Sequence, residues 1–217
     1  MPREATARRV IEHAVEAEAR IPRFGGGPPP PRPEPLVSNA HLGMLIFIAA
    51  EAMFFTGLIG AFLVFRFGSV TWPPPDQPRL PIAVTGVNTA ILLFSGYTMY
   101  QALVAVRRGN QPGLISRLLE TALLGVMFLS VQGSEWIRLI RYGFTLSDGT
   151  YGSTFYTLIG CHGAHVLGAV SWLLVVLAKA RNNRFSVQNR IGVEVCGMYW
   201  YFVVVLWPIL FTLVYLN

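Results

Sequence analysis

The stretch LGMLIFIAAEAMFFTGLIGAFLVFR, Leu42–Arg66, decides the fold. At about 1.5 Å of rise per helical residue it is long enough to cross a bilayer. Between Leu42 and Phe65 its only ionisable side chain is Glu51. Carrying a carboxylate into hydrocarbon is costly, so such residues are rare and usually tied to function. Two readings follow. Glu51 bonds a neighbouring helix and holds a bundle together, or it serves a proton- or lipid-linked role.

Working outward, four more stretches are long and apolar enough to span: Ile82–Val106, Leu118–Ile140, Thr154–Ala178 and Ile191–Leu216. Hydrophobic residues make up 53% of the 217 and charged residues only 13%, far from a soluble domain. The expected fold is an all-α membrane protein, a five-helix transmembrane bundle over 41–217 that leaves no room for a soluble catalytic domain. Residues 1–40 read as a separate tail: a short amphipathic helix over Ala5–Ile21, then the Pro/Gly-rich linker PRFGGGPPPPRPEP. No apolar core follows the early arginines, so a cleavable signal peptide is not expected.

Lys179 is the only lysine. With five spans, the tail-side loops carry Arg107, Arg108, Arg117, Lys179, Arg181, Arg184 and Arg190, against Arg66, Arg79, Arg138 and Arg141 on the other side. The positive-inside bias then sets the N-terminus inside and the C-terminus outside. The net charge of +6 is a topology signal, and its scatter over helix ends argues against a nucleic-acid partner. Cys161 and Cys196 both fall within spans and read as small buried hydrophobes.

The first span has two usable faces. Glu51, Phe55, Leu58 and Phe62 share one, and Ala52, Thr56 and Gly60 form a small-residue stripe on another, where a helix can approach closely. In the fourth span His162 and His165 lie in one helical quadrant, beside a second stripe of Gly160, Ala164 and Gly168. The histidines suit interhelical hydrogen bonding, with Glu51 a possible partner of either. A metal would need further ligands that the spacing does not supply, so none is expected. Gln132 and Glu135 face the same way at the outer end of the third span, where Glu135 meets Arg138 or the Trp72 loop, and Glu120 pairs with Arg117. The fifth span carries the aromatic run Tyr199–Phe202 with Trp207, which reads as an interfacial belt or a packing face, and Pro208 should kink it.

These blocks resemble subunit III of the haem–copper oxidases in its short five-helix form. The first span matches with its membrane glutamate at Glu51. WPPP and NTAILLFSGYTMYQA (Asn88–Ala102) resemble the next loop and helix, and T-x-x-L-G-x-x-F-L-x-x-Q-x-x-E-W from Thr121 to Trp136 the third. Phe155 with HGAHVLGA resembles the fourth, and GMYWYFV with Trp207 and Phe211 the fifth. One departure stands out: where the family usually has histidine and, three residues on, aspartate, this chain has Tyr201 and Val204.

The resemblance implies a noncatalytic subunit of a cytochrome c oxidase in aerobic electron transport. It would stabilise catalytic subunit I, support proton uptake and bind phospholipid, and it would hold no cofactor itself, the haems and copper residing in subunits I and II. Subunit I would be its main contact, other oxidase subunits including II further partners, and a larger respiratory supercomplex a compatible setting. Its place would be a bacterial or archaeal cytoplasmic membrane. Glu51, His162, His165 and Glu135 are the residues to watch for lipid- or proton-linked work. Subunit III of a quinol oxidase and the accessory subunit of nitric oxide reductase are alternatives within the family. A small proton-coupled transporter or channel built on Glu51 and the two histidines is the alternative from another class, and the lack of an internal repeat argues against it.

Overall fold

The computed structural model describes residues 38–72, 74, 82–145, 147 and 149–216. The amphipathic helix and the linker expected in the tail lie outside them. Five helices follow in order: α1 (Asn39–Gly68), α2 (Ile82–Arg107), α3 (Gln111–Arg141), α4 (Gly149–Arg181) and α5 (Ile191–Tyr215). All five are long and apolar enough to cross a membrane, and no strand occurs among the described residues.

α1, α3 and α4 begin earlier than their apolar runs. Hydropathy marks only the part of a helix that faces hydrocarbon, whereas the hydrogen-bonded backbone continues wherever a cap can end it. Asn110 accepts from the Gly113 N–H at 3.0 Å to cap α3, and Pro112 sits in the first turn, where its missing donor costs nothing. The tight turn before α3 uses Gly109 at φ +69°, a backbone that favours glycine. The Gly109 and Asn110 N–H groups there bond back to Val106 and Ala105 carbonyls and close the end of α2.

Helices α2, α3, α4 and α5 form a ring, each packed on the next and α5 closing back on α2, while α1 lies against α4 and α5 alone. Lipid tails are as apolar as leucine, so packing and interhelical hydrogen bonds hold such a ring in place of the hydrophobic effect. α2 shows this plainly. Its buried face carries Thr85, Asn88, Thr89, Ser95 and Thr98. These meet the indoles of α5: Trp207 Nε1–H donates to Thr89 Oγ1 at 2.8 Å and Trp200 Nε1–H to Ser95 Oγ at 3.2 Å. Thr98 and Thr121 share a 2.8 Å bond between α2 and α3. Trp200 and Trp207 are fully buried, so the heart of the fifth span's aromatic run is a packing face. Gly125 of α3 makes room for it: a Cβ there would stand 2.6 Å from the Trp200 ring. The helical assignment of α5 continues unbroken through Pro208. The outward surface is the reverse, with Ile46, Met53, Val64 and Phe67 among the exposed side chains of α1.

Candidate functional site

α1 presents the face that the sequence groups together. Phe55 and Phe62 are buried, and Leu58 packs partly against the same core. On this face Glu51 meets α4, its Oε2 2.8 Å from His165 Nε2. The other ring nitrogen of His165, Nδ1, lies 2.6 Å from the Cys161 carbonyl oxygen. A carbonyl only accepts, so Nδ1 carries its hydrogen and donates it. The line between Nε2 and Oε2 then holds one proton. Either an imidazolium donates to a carboxylate, or a carboxylic acid donates to a neutral imidazole. Both forms carry no net charge, as a low-dielectric site requires. Phe55 sets its edge on the imidazole at 5.0 Å, and Phe54 stacks on it at 6.1 Å.

Burial of the pair is incomplete. About one-fifth of each side chain remains exposed, 19% for Glu51 and 20% for His165, so the pair stands at the rim of the bundle. Its partner in the sequence pattern, His162, does not join it. His162 is fully buried one turn away, stacked on Trp207 at 5.0 Å with Phe55 and Phe128 at its edges. Neither of its ring nitrogens has a hydrogen-bond partner among the described residues. The i,i+3 spacing turns the two rings about 60° apart around the helix, enough to send one into the ring core and the other to α1.

Glu135 lies elsewhere, toward the C-terminal end of α3. It is buried, and Arg138 donates to it at 3.2 Å. Its neighbour Gln132 donates to the Tyr215 hydroxyl at 3.2 Å, tying α3 to α5. Glu120 pairs with Arg117 at 2.7 Å, on the surface. Trp72 packs edge-on to Phe62 and Tyr151, which closes that end of the bundle over α1 and α4. Among the described residues no three His, Cys, Asp or Glu side chains come together as a metal site.

A second ionic cluster at the opposite end escaped the sequence reading. Glu194, in the first turn of α5, accepts through Oε1 from Arg190 Nε at 3.1 Å and from Arg107 Nε of α2 at 3.3 Å. Its Oε2 stands 3.4 Å from His41 Nε2 of α1. The acid collects three helices at one end. The signal was a lone glutamate near the start of a span whose facing helices end and begin in Arg107 and His41.

The small-residue stripes are mostly unused within the chain. Gly160 packs on the Trp136 ring, where a Cβ would stand at 3.6 Å. Ala52, Gly60, Ala164 and Gly168 are exposed, and nothing among the described residues lies within 4 Å of a Cβ built at Gly60 or Gly168. Among the described residues no helix of this bundle packs on the Ala52–Gly60 stripe at Gly60. α1 turns its bulky face inward because Phe55, Phe62 and the Glu51 bond fill the groove between α4 and α5, and this leaves the small stripe outside.

The family model described as cytochrome c oxidase subunit III matches residues 34–217. Among similar proteins, the cytochrome c oxidase subunit 3 of Synechocystis sp. is 37% identical over 175 residues, covering 80% of this chain and 74% of that protein. The subunit 3 of the turtle Pelomedusa subrufa is 35% identical over 185 residues, covering 82% and 69%. That of the mosquito Aedes aegypti is 37% identical over 188, covering 83% and 70%. The match runs through all five helices, the Glu51–His165 pair and the Trp200–Trp207 core alike, and the chain belongs to the cytochrome c oxidase subunit III family.

Proposed function

We propose that this chain is the noncatalytic third subunit of a respiratory haem–copper oxidase that takes electrons from cytochrome c, as the names of its relatives suggest. It stabilises subunit I, supports proton uptake and binds lipid, while the haems and copper belong to subunits I and II. It sits in a bacterial or archaeal cytoplasmic membrane with its N-terminus inside.

The observation that carries this reading is the placement of α1. A helix with an acid–imidazole pair at its rim and an open stripe of small residues is built to be covered by another polypeptide or by lipid. The net-neutral pair can hold one proton in either of two positions, which suits a supporting part in proton handling. Among the described residues no hydrogen bond extends it to His162 or to Glu135, so any longer path uses further groups. Glu51, His165 and Glu135 are the residues assigned to this supporting role, with His162 as the buried wedge that positions α4.

Purification through a tag on this chain tests the reading. Haem-bearing subunit I should come with it, and the isolated chain should show no haem absorbance. In the assembled complex Glu51→Gln should keep electron transfer, because Gln retains the shape and a hydrogen bond to His165. Complete loss of turnover in a fully assembled Glu51→Gln complex would refute a noncatalytic role. A reporter fused after Asn217 should be active only outside the cytoplasm.

A further inference from the structure

Two tyrosines on α2 face out of the bundle from within a span. Leu93, Phe94, Tyr97, Tyr100 and Gln101 fall within about 120° of the helix circumference by 100° steps. They lie opposite the hydroxyl-rich face that meets α5 and α3. Tyr97 and Tyr100 are each more than half exposed, as is Phe94. Neither phenol hydroxyl has a hydrogen-bond partner among the described residues. Beside them the side-chain oxygen of Gln101 is buried and also without a partner among those residues.

Depth decides what these groups meet. Tyr97 stands ten residues before Arg107 and Tyr100 seven, about 15 and 10 Å along the axis. With Arg107 at the headgroup level, a hydrocarbon core ~30 Å thick puts Tyr97 near its middle. Long side chains on a helix lean toward its N-terminus, here away from Arg107, so neither phenol reaches back to that surface. The Tyr97 ring rests beside that of Phe94, one turn nearer the N-terminus, with centroids 6.1 Å apart.

Small hydroxyls on the outer side of this bundle satisfy themselves. Thr56 donates to the Ala52 carbonyl at 2.7 Å, and Ser130 and Ser171 to those of Val126 and Leu167 at 2.8 Å. A phenol cannot do this, because its rigid ring holds the oxygen away from its own backbone. Tyr156 and Tyr215 instead find partners inside the bundle, the Phe144 carbonyl and the Gln132 amide. Acyl chains offer no acceptor, and an unbonded hydroxyl in hydrocarbon is costly.

We infer that this face of α2 is a docking surface for a transmembrane helix of another subunit, one that presents hydrogen-bond acceptors within its span. Side chains of serine, threonine, asparagine or glutamine serve, as do carbonyls freed at a bend. Tyr97 and Tyr100 donate to that helix, Gln101 accepts from it, and Leu93 and Phe94 supply the apolar contact. The family is one of complex subunits. The inference rests on the subunit reading above and adds which face carries a contact and what chemistry the partner brings.

The test uses the complex that purifies through a tag on this chain. A photocrosslinking amino acid in place of Tyr97 should join the chain to a second polypeptide, identified by mass spectrometry. Tyr97→Phe with Tyr100→Phe keeps both rings and removes both hydroxyls. It should speed loss of that partner in detergent about nine-fold, from roughly three-fold for each interhelical hydrogen bond. The fold of the chain should be untouched, since neither hydroxyl bonds within it, and helical content by circular dichroism checks this.

Crosslinks to lipid alone overturn the inference, and so does a crosslink that joins two copies of this chain. Unchanged partner loss in the double phenylalanine variant overturns it as well. A polypeptide captured at Tyr97 in a complex without haem refutes the function proposed above and leaves the docking face standing.

Discussion

The ring and α1 are held by different physics. Through the middle of the ring the polar contacts between helices are neutral and buried: indole to hydroxyl at Trp207–Thr89 and Trp200–Ser95, hydroxyl to hydroxyl at Thr98–Thr121, with the charged Arg107–Glu194 contact set apart at one end. The packing is close enough that Gly125 has no space for a methyl group. α1 instead has three buried side chains, Met44, Phe55 and Phe62. Its links to the ring involve ionisable groups at three heights: His41 to Glu194, Glu51 to His165, and Arg66 Nη1 to the Leu213 carbonyl at 3.2 Å. In hydrocarbon, neutral hydroxyl–indole bonds need no counter-charge and can be sealed in. Charged links work best near the ends, where water and headgroups reach them, or as a net-neutral pair at the rim. The ring closes on itself, and α1 is attached to it through α4 and α5 alone, with its small-residue side left open.

Breaking the ring should have the largest effect. Trp200→Ala removes a fully buried indole and its bond to Ser95, and should cost about 4 kcal/mol of bundle stability. The measurement is the thermal transition of the assembled protein in detergent, with all five helices lost together. Phe55→Ala should cost about 3 kcal/mol but act locally. A cysteine probe at Ile48 should become more accessible while one at Leu118 stays protected. If both open together, α1 and the ring are one cooperative unit and the distinction fails.

Smaller changes sharpen the contrast. Glu51→Ala strands the His165 ring nitrogen and should loosen α1 by about 2 kcal/mol, whereas Glu51→Gln should cost less than about 1. Subunit retention during detergent washing reads the difference, and equal loss in both would mean that charge, not hydrogen bonding, secures the helix. Arg66→Gln should be the mildest, about 1 kcal/mol, because a single part-buried bond near the end of the helix is lost. It should appear only as faster hydrogen exchange at the last turn of α1.

Much of this was legible in the chain. The apolar runs marked all five helices, and the 100° spacing grouped Glu51 with Phe55, Leu58 and Phe62 on the face that turns inward. Gln132 and Glu135 face the same way, as their spacing implies, and the fold buries both. The Glu194 cluster was not legible, because Arg107, Arg190, Glu194 and His41 come from three helix ends and only packing brings them within bonding distance. Nor were the hydroxyls of α2, since Thr and Ser in an apolar span look neutral until an indole is known to face them.

By itself the sequence determined the element type, the number of spans and the face that each polar residue shares, because length, hydropathy and a fixed helical period are local properties. Tertiary structure decided which helices are neighbours: that His165 and not His162 reaches Glu51, and that Trp200 and Trp207 fill the centre of a ring instead of a belt at its edge. It also left the Ala52–Gly60 stripe outside. The physical reason is that hydrocarbon gives every apolar face a comparable welcome. Choice among faces falls to shape, to the space beside Gly125 and to a few hydrogen bonds, and these exist only between helices already in place.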